Sequence, residues 1–159
     1  LSAEEAVRSY KRLSRIERAF RSLKTIDLKV RPIHHHLAQR VRAHVLICML
    51  AYYVEWHMRR ALAPLLFEDH DKPTAHRLRR SVVAPAQRSP KALRKARTKR
   101  TDEGSPVHSF HTLLADLASV VKSRIKPKGL ELDPFEKITN PTPLQQKAFD
   151  LLGVTPYRM

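Results

Sequence analysis

The sequence predicts a mainly α chain. Three observations carry this: long stretches with a helical apolar period, cap residues where those stretches begin, and strand signals confined to Ile26–Val30 and Phe135–Ile138. The 159 residues suffice for one modest domain or for part of a larger one. A hydrophobic content of 42% excludes a wholly disordered polymer.

The first helix opens at "LSAEEAVRSYKRL". Ser2 caps it, and Glu5 three positions later completes a capping box. Its pattern runs to Lys24 or Thr25, and Pro32 then forces a break after a short extended piece. A second helix follows from Leu37 to Leu62, with no Gly or Pro and apolar residues on most sides of its middle. Such a helix belongs in an interior, so Tyr52, Tyr53 and Trp56 read as core and Cys48 as a small buried apolar residue. The lone cysteine rules out a disulfide within the chain. The longest apolar run, Val45 to Val54, is about half the length needed to cross a bilayer.

Composition shifts after Pro64. From Lys72 to Gly104 there are 11 Lys or Arg against two acids, with prolines at 73, 85 and 90, which predicts a loop or marginal helix flanked by linkers. Order returns at "HSFHTLLADLASVVKSRI", where Phe110, Leu113, Leu114, Leu117, Val120 and Val121 make one helical stripe. Near the end, Thr142 caps a short helix, Pro143 takes its first position and Gly153 stops it. The expected organisation is a helical segment 1–63, a basic Pro-containing linker 64–107 and a helical tail 108–159.

A net charge of +16 and a pI near 10.7 favour a polyanionic partner: DNA, RNA or an anionic membrane surface. Lys72–Arg100 is the strongest sequence candidate for non-specific phosphate contact. No signal peptide is read at the start, and the opening in mid-pattern is taken to mean residues upstream of Leu1. The run His34–His36 does not read as a zinc site. Consecutive histidines cannot all face one ion, no Cys-x-x-Cys supports them, and His44 and His57 lie too far apart on one helix.

The first helix holds the most informative pattern. In "SYKRLSRIERAFRSLK", six basic residues surround one acid, Glu17. At about 100° per residue, Tyr10, Glu17 and Lys24 share a stripe, with Ser14 and Arg21 beside it. Leu13, Ile16, Phe20 and Leu23 form an apolar stripe roughly 90° away, so Glu17 borders a face expected to be buried. A carboxylate there suits a metal ligand on a rigid element, with Arg21 and Lys24 holding phosphates and Tyr10 bonding or stacking on the strand. On spacing alone, a Glu four before an Arg is usually a helix-surface ion pair worth a few tenths of a kcal/mol.

The wording "YKRLSRIERAFRSLK" resembles the C-terminal signature of DDE transposases of bacterial insertion sequences. In that family Tyr, two residues, Arg, three residues, Glu, six residues and Lys or Arg lie on the last helix of the catalytic domain. Tyr10, Glu17 and Lys24 fall on the pattern; the Arg position holds Leu13, with Arg12 and Arg15 near it. The following "RPIHHHLAQRVRAH" is similar to one subgroup, and the likeness extends more loosely to "PTPLQQKAFDLLGV".

The resemblance implies that residues 1–63 are the C-terminal portion of an RNase H-like α/β catalytic domain. Glu17 would be its third acid and a metal ligand, with Tyr10, Arg12, Arg15, Arg21 and Lys24 as DNA contacts. Two Asp would lie upstream, since Asp27 and Glu68–Asp71 come after the signature. The implied chemistry is strand cleavage and transfer by two Mg²⁺ or Mn²⁺. One carboxylate cannot organise both ions, so this chain alone is expected to bind no metal and cut no DNA. The implied partners are transposon ends and target as double-stranded DNA, with a second copy in a synaptic homodimer. A bacterial cytoplasmic, nucleoid-associated location with no membrane partner follows from the same likeness. The alternative is a non-catalytic, basic nucleic-acid-binding helical protein that folds alone.

Overall fold

The computed structural model describes residues 2–26, 28, 30–128 and 133–155. Among them helices dominate, and strands form one two-stranded sheet. Two compact units divide the chain: Leu1–Arg60 with Lys72–Arg88, and Ala61–Asp71 with Ser89–Met159. The first boundary falls at Arg60.

In the first unit, α1 spans Ala3–Arg21. Its capping box forms as the sequence predicts: the Glu5 N–H donates to Ser2 Oγ at 3.2 Å, and the Ser2 N–H donates to the Glu5 carboxylate at 2.8 Å. The helix then widens into a π turn, Ser22–Ile26. Ile26 therefore belongs to a helical turn and not to the expected strand Ile26–Val30, of which residues 27 and 29 lie outside the described set. A non-helical segment containing Pro32 leads to α2, Ala38–Leu62. His44 ties the two together, its Nε2 lying 3.1 Å from the Val30 carbonyl oxygen, and Cys48 is buried below it.

The expectation that α2 is an interior helix is not met within this chain. Leu46, Ile47 and Leu50 are 66, 65 and 60% exposed, and Tyr53 and Trp56 are exposed as well. The apolar stripe of α1 fares the same way: Leu13, Ile16 and Phe20 are exposed, and no residue of α1 is buried. Periodicity reports which sides of a helix are apolar. It does not report whether the covering layer lies in the same stretch of chain.

The second unit has its own core: Leu62, Leu65, Leu66, Ala92, Val107, Phe110, Leu113 and Ala148 are buried. Much of it comes from the stretch expected to be a linker. Residues 72–88, which carry the short helix α3 (Lys72–Arg77), cluster with the first unit, whereas 64–71 and 89–107 pack into the second.

A well-capped helix, α4 (Pro90–Thr98), stands where composition predicts a loop or marginal helix. Ser89 caps it, accepting from the Ala92 N–H at 3.2 Å. Asp69 holds that cap in place, accepting from both the N–H and the hydroxyl of Ser89 at 2.7 Å. Lys95 is 4% exposed, and its ammonium donates to the carbonyls of Ala63 and Glu68 at 2.8 Å. Burial lowers the Lys95 pKa, opposed by the negative charges of Asp69, Asp102 and Glu68. A run of cations thus disguises a helix whose single buried cation is satisfied by backbone oxygens.

Past a turn at Thr101–Gly104, residue 66 bridges to residue 108. α5 then spans Phe110–Leu117 and stops before Val120 and Val121, which the sequence stripe had included. Side chains take over its last carbonyls. The Ser119 hydroxyl donates to the Asp116 carbonyl at 2.7 Å, and the Gln145 amide donates to the same oxygen at 2.9 Å. Strand β1 (Lys122–Ile125) pairs antiparallel with β2 (Phe135–Ile138), with Arg124 opposite Glu136. β1 escaped sequence reading because "KSRI" is polar and mostly exposed. The last helix, α6 (Pro143–Leu152), has Thr142 as cap, Gln145 closing a capping box and Gly153 at φ 65° as its stop.

Candidate nucleic-acid interface

α1 presents three surfaces. With Glu17 as the origin, Tyr10 lies about 20° away and Arg21 about 40° on the same stripe. Leu13, Phe20 and Ile16 sit about 40°, 60° and 100° to the other side. Arg12, Arg15 and Arg8 lie about 140–180° from Glu17, on the opposite side of the helix. Tyr10 is 76% exposed, and Glu17, Arg21 and Lys24 are exposed.

The helix therefore keeps Tyr10, Glu17 and Arg21 together and turns Arg12 and Arg15 away from them. Lys24 lies in the π turn, where i→i+5 bonding widens the helix, so the seven-residue repeat no longer fixes its angle to Glu17. Among the described residues, no group of three or more His, Cys, Asp or Glu is placed to hold a metal. His34–His36 join no such group, and His35 lies edge-on to His44 with ring centroids 5.7 Å apart.

Beside the π turn an apolar recess of about 360 Å³ is lined by Leu23, Met49, Tyr52, Tyr53 and Trp56. Its aromatic rings are braced at the edge: the Arg60 guanidinium lies 5.6 Å from the Trp56 ring centre, and His57 packs against Tyr53 at 4.4 Å. These aromatics, read from sequence as core, line an open recess instead. Their apolar character is met only where another surface covers them.

On the far side of α1, an open groove is bounded by the helix and the turn after α3. Lys11 closes it by donating to the Val82 carbonyl at 2.6 Å and the Val83 carbonyl at 3.1 Å. Arg79 folds the turn, donating through Nε to the Ala84 carbonyl at 2.9 Å and through Nη2 to the Val82 carbonyl at 2.8 Å. Arg8, Arg12, Arg15 and Arg80 line the same groove. Sequence reading missed this assembly because its cations come from segments some seventy residues apart; the only signal was a basic side on α1 and the Arg79–Arg80 pair. No protein-family profile, curated protein or solved structure matches the chain.

Proposed function

We propose that this chain is the C-terminal part of a DDE transposase and carries the third acid of its metal site. The observation that carries the reading is the stripe Tyr10–Glu17 on α1, solvent-facing on a rigid, well-capped helix, beside an uncovered apolar stripe. A last catalytic-domain helix needs both features: an acid free to reach metal and an apolar side that packs on a sheet. The bare sides of α2 support the same view, since an RNase H-like domain covers its helices with a layer that the first unit lacks among its described residues. On this reading two Asp upstream of Leu1 complete the site, Glu17 binds Mg²⁺ or Mn²⁺ with them, and Tyr10, Arg21 and Lys24 hold the phosphates of the cleaved strand.

The second reading is a non-catalytic, basic nucleic-acid-binding helical protein. The buried core of the second unit favours it, because that part has the makings of an independent fold. One experiment separates the two. In the longer reading frame that contains this chain, Glu17→Gln abolishes metal-dependent cleavage of a labelled transposon end and leaves end binding intact. Near-normal cleavage by that variant, or a frame with no upstream pair of Asp, overturns the transposase reading.

A further inference from the structure

We propose that the groove between α1 and the 79–84 turn is a second binding site, one that grips the phosphate backbone of duplex DNA on the side of α1 opposite Glu17. The proposal stands on the first unit alone and does not require Glu17 to be a metal ligand.

The cations of the groove divide by task. Lys11 and Arg79 donate to backbone carbonyls and shape the wall. Arg12, Arg15 and Arg80 are exposed, and their side chains form no hydrogen bond or ion pair with another described residue. Arg8 meets Glu4 at 3.5 Å with both side chains well exposed, a contact that phosphate displaces readily. Among the described residues Glu4 is the one carboxylate lining the groove. Guanidinium groups donate in a planar fork that matches phosphate oxygens, and such charge-assisted pairs are stronger than neutral ones.

The lining also selects among polyanions. Among the described residues no Phe, Tyr or Trp lines the groove, so they offer no platform on which the bases of a single strand could stack. Its apolar members among the described residues are valines and an alanine, not the large Trp, Phe or Leu anchors that carry a surface into lipid. A duplex presents phosphates outward and asks for neither. The helix itself, about 10–12 Å across with side chains, stands between the groove and the Glu17 stripe. One phosphate cannot touch both, so the groove holds a different stretch of DNA.

The test measures binding of the full chain to a short labelled duplex of random sequence, over a range of salt and with EDTA present. Arg12→Ser/Arg15→Ser/Arg80→Ser is compared with Arg124→Ser/Lys126→Ser/Lys128→Ser, which removes the same charge from exposed positions in the second unit. The groove variant is expected to weaken binding and to flatten the log–log salt slope by about 0.9 per lost contact, roughly 3 in all. The control is expected to shift the slope by less than one contact. Arg12→Lys/Arg15→Lys/Arg80→Lys keeps most of the slope, which separates lost charge from a damaged fold. The groove is read from the salt slope with EDTA present and the catalytic reading from metal-dependent cleavage, so failure of the one and failure of the other register in different assays. Equal slopes for the two Ser variants overturn the proposal. So does tighter binding of single-stranded than duplex DNA, or preferential capture by phosphatidylglycerol vesicles.

Discussion

In the second unit α5, a helix of eight residues, buries Phe110 and Leu113; α2, a helix of 25 residues that lies in the first unit up to Arg60, leaves Leu46, Ile47 and Leu50 mostly exposed. The shorter helix is the better packed because its neighbours in space belong to its own unit. Leu66, Ala92, Val107 and Ala148 are buried in the same unit as α5. The difference teaches that helix length and apolar content do not measure stability. Burial does, and the two units are unequal in it.

The largest effect that sharpens this contrast is a pair of truncations. Leu113→Ala, at a fully buried position, is expected to cost about 2–5 kcal/mol in urea unfolding of the full chain. Leu50→Ala, on the exposed side of α2, is expected to cost less than about 0.5 kcal/mol. Equal losses break the comparison, because α2 would then be packed in solution as tightly as α5.

A smaller effect probes the polar lock beneath α4. Asp69 accepts from Ser89 twice and from the Asp71 N–H at 3.0 Å. Burial raises its pKa, but the hydrogen bonds from Ser89 and Asp71 and the charge of His70 outweigh it and bring the value below normal. A depressed carboxyl pKa stabilises the fold at pH values above the unfolded pKa, about 3.9, and that contribution disappears as pH falls through the folded value. Asp69→Asn is therefore expected to lower stability by about 1–3 kcal/mol near neutral pH. Its deficit against the wild type shrinks as urea unfolding is repeated below about pH 4. A deficit that is constant down to strongly acidic pH assigns the role of Asp69 to packing instead.

The smallest effect on stability belongs to the bare side of the first unit. Leu46→Gln/Ile47→Gln is expected to reduce the fluorescence of a bound hydrophobic dye and to leave the unfolding midpoint of the second unit in place. Unchanged dye binding means that this side is already covered in solution, which removes the motive for placing a missing layer there.

The sequence by itself determined the local elements whose causes are local. Ser2 with Glu5 and Thr142 with Gln145 cap their helices through contacts three residues apart, and Gly153 ends α6 because a residue without Cβ adopts positive φ at low cost. The seven-residue spacing of Tyr10 and Glu17 likewise follows from helix geometry alone. Tertiary structure decided what depends on distant partners. Asp69 and the carbonyls of Ala63 and Glu68 turned a cationic stretch into α4, and Gln145 and Ser119 capture the Asp116 carbonyl where α5 ends. Lys11 and the turn at Val82 made one groove of two basic segments. The burial of α2 depends on a covering surface, and a helix's own periodicity carries no information about whether that surface is present.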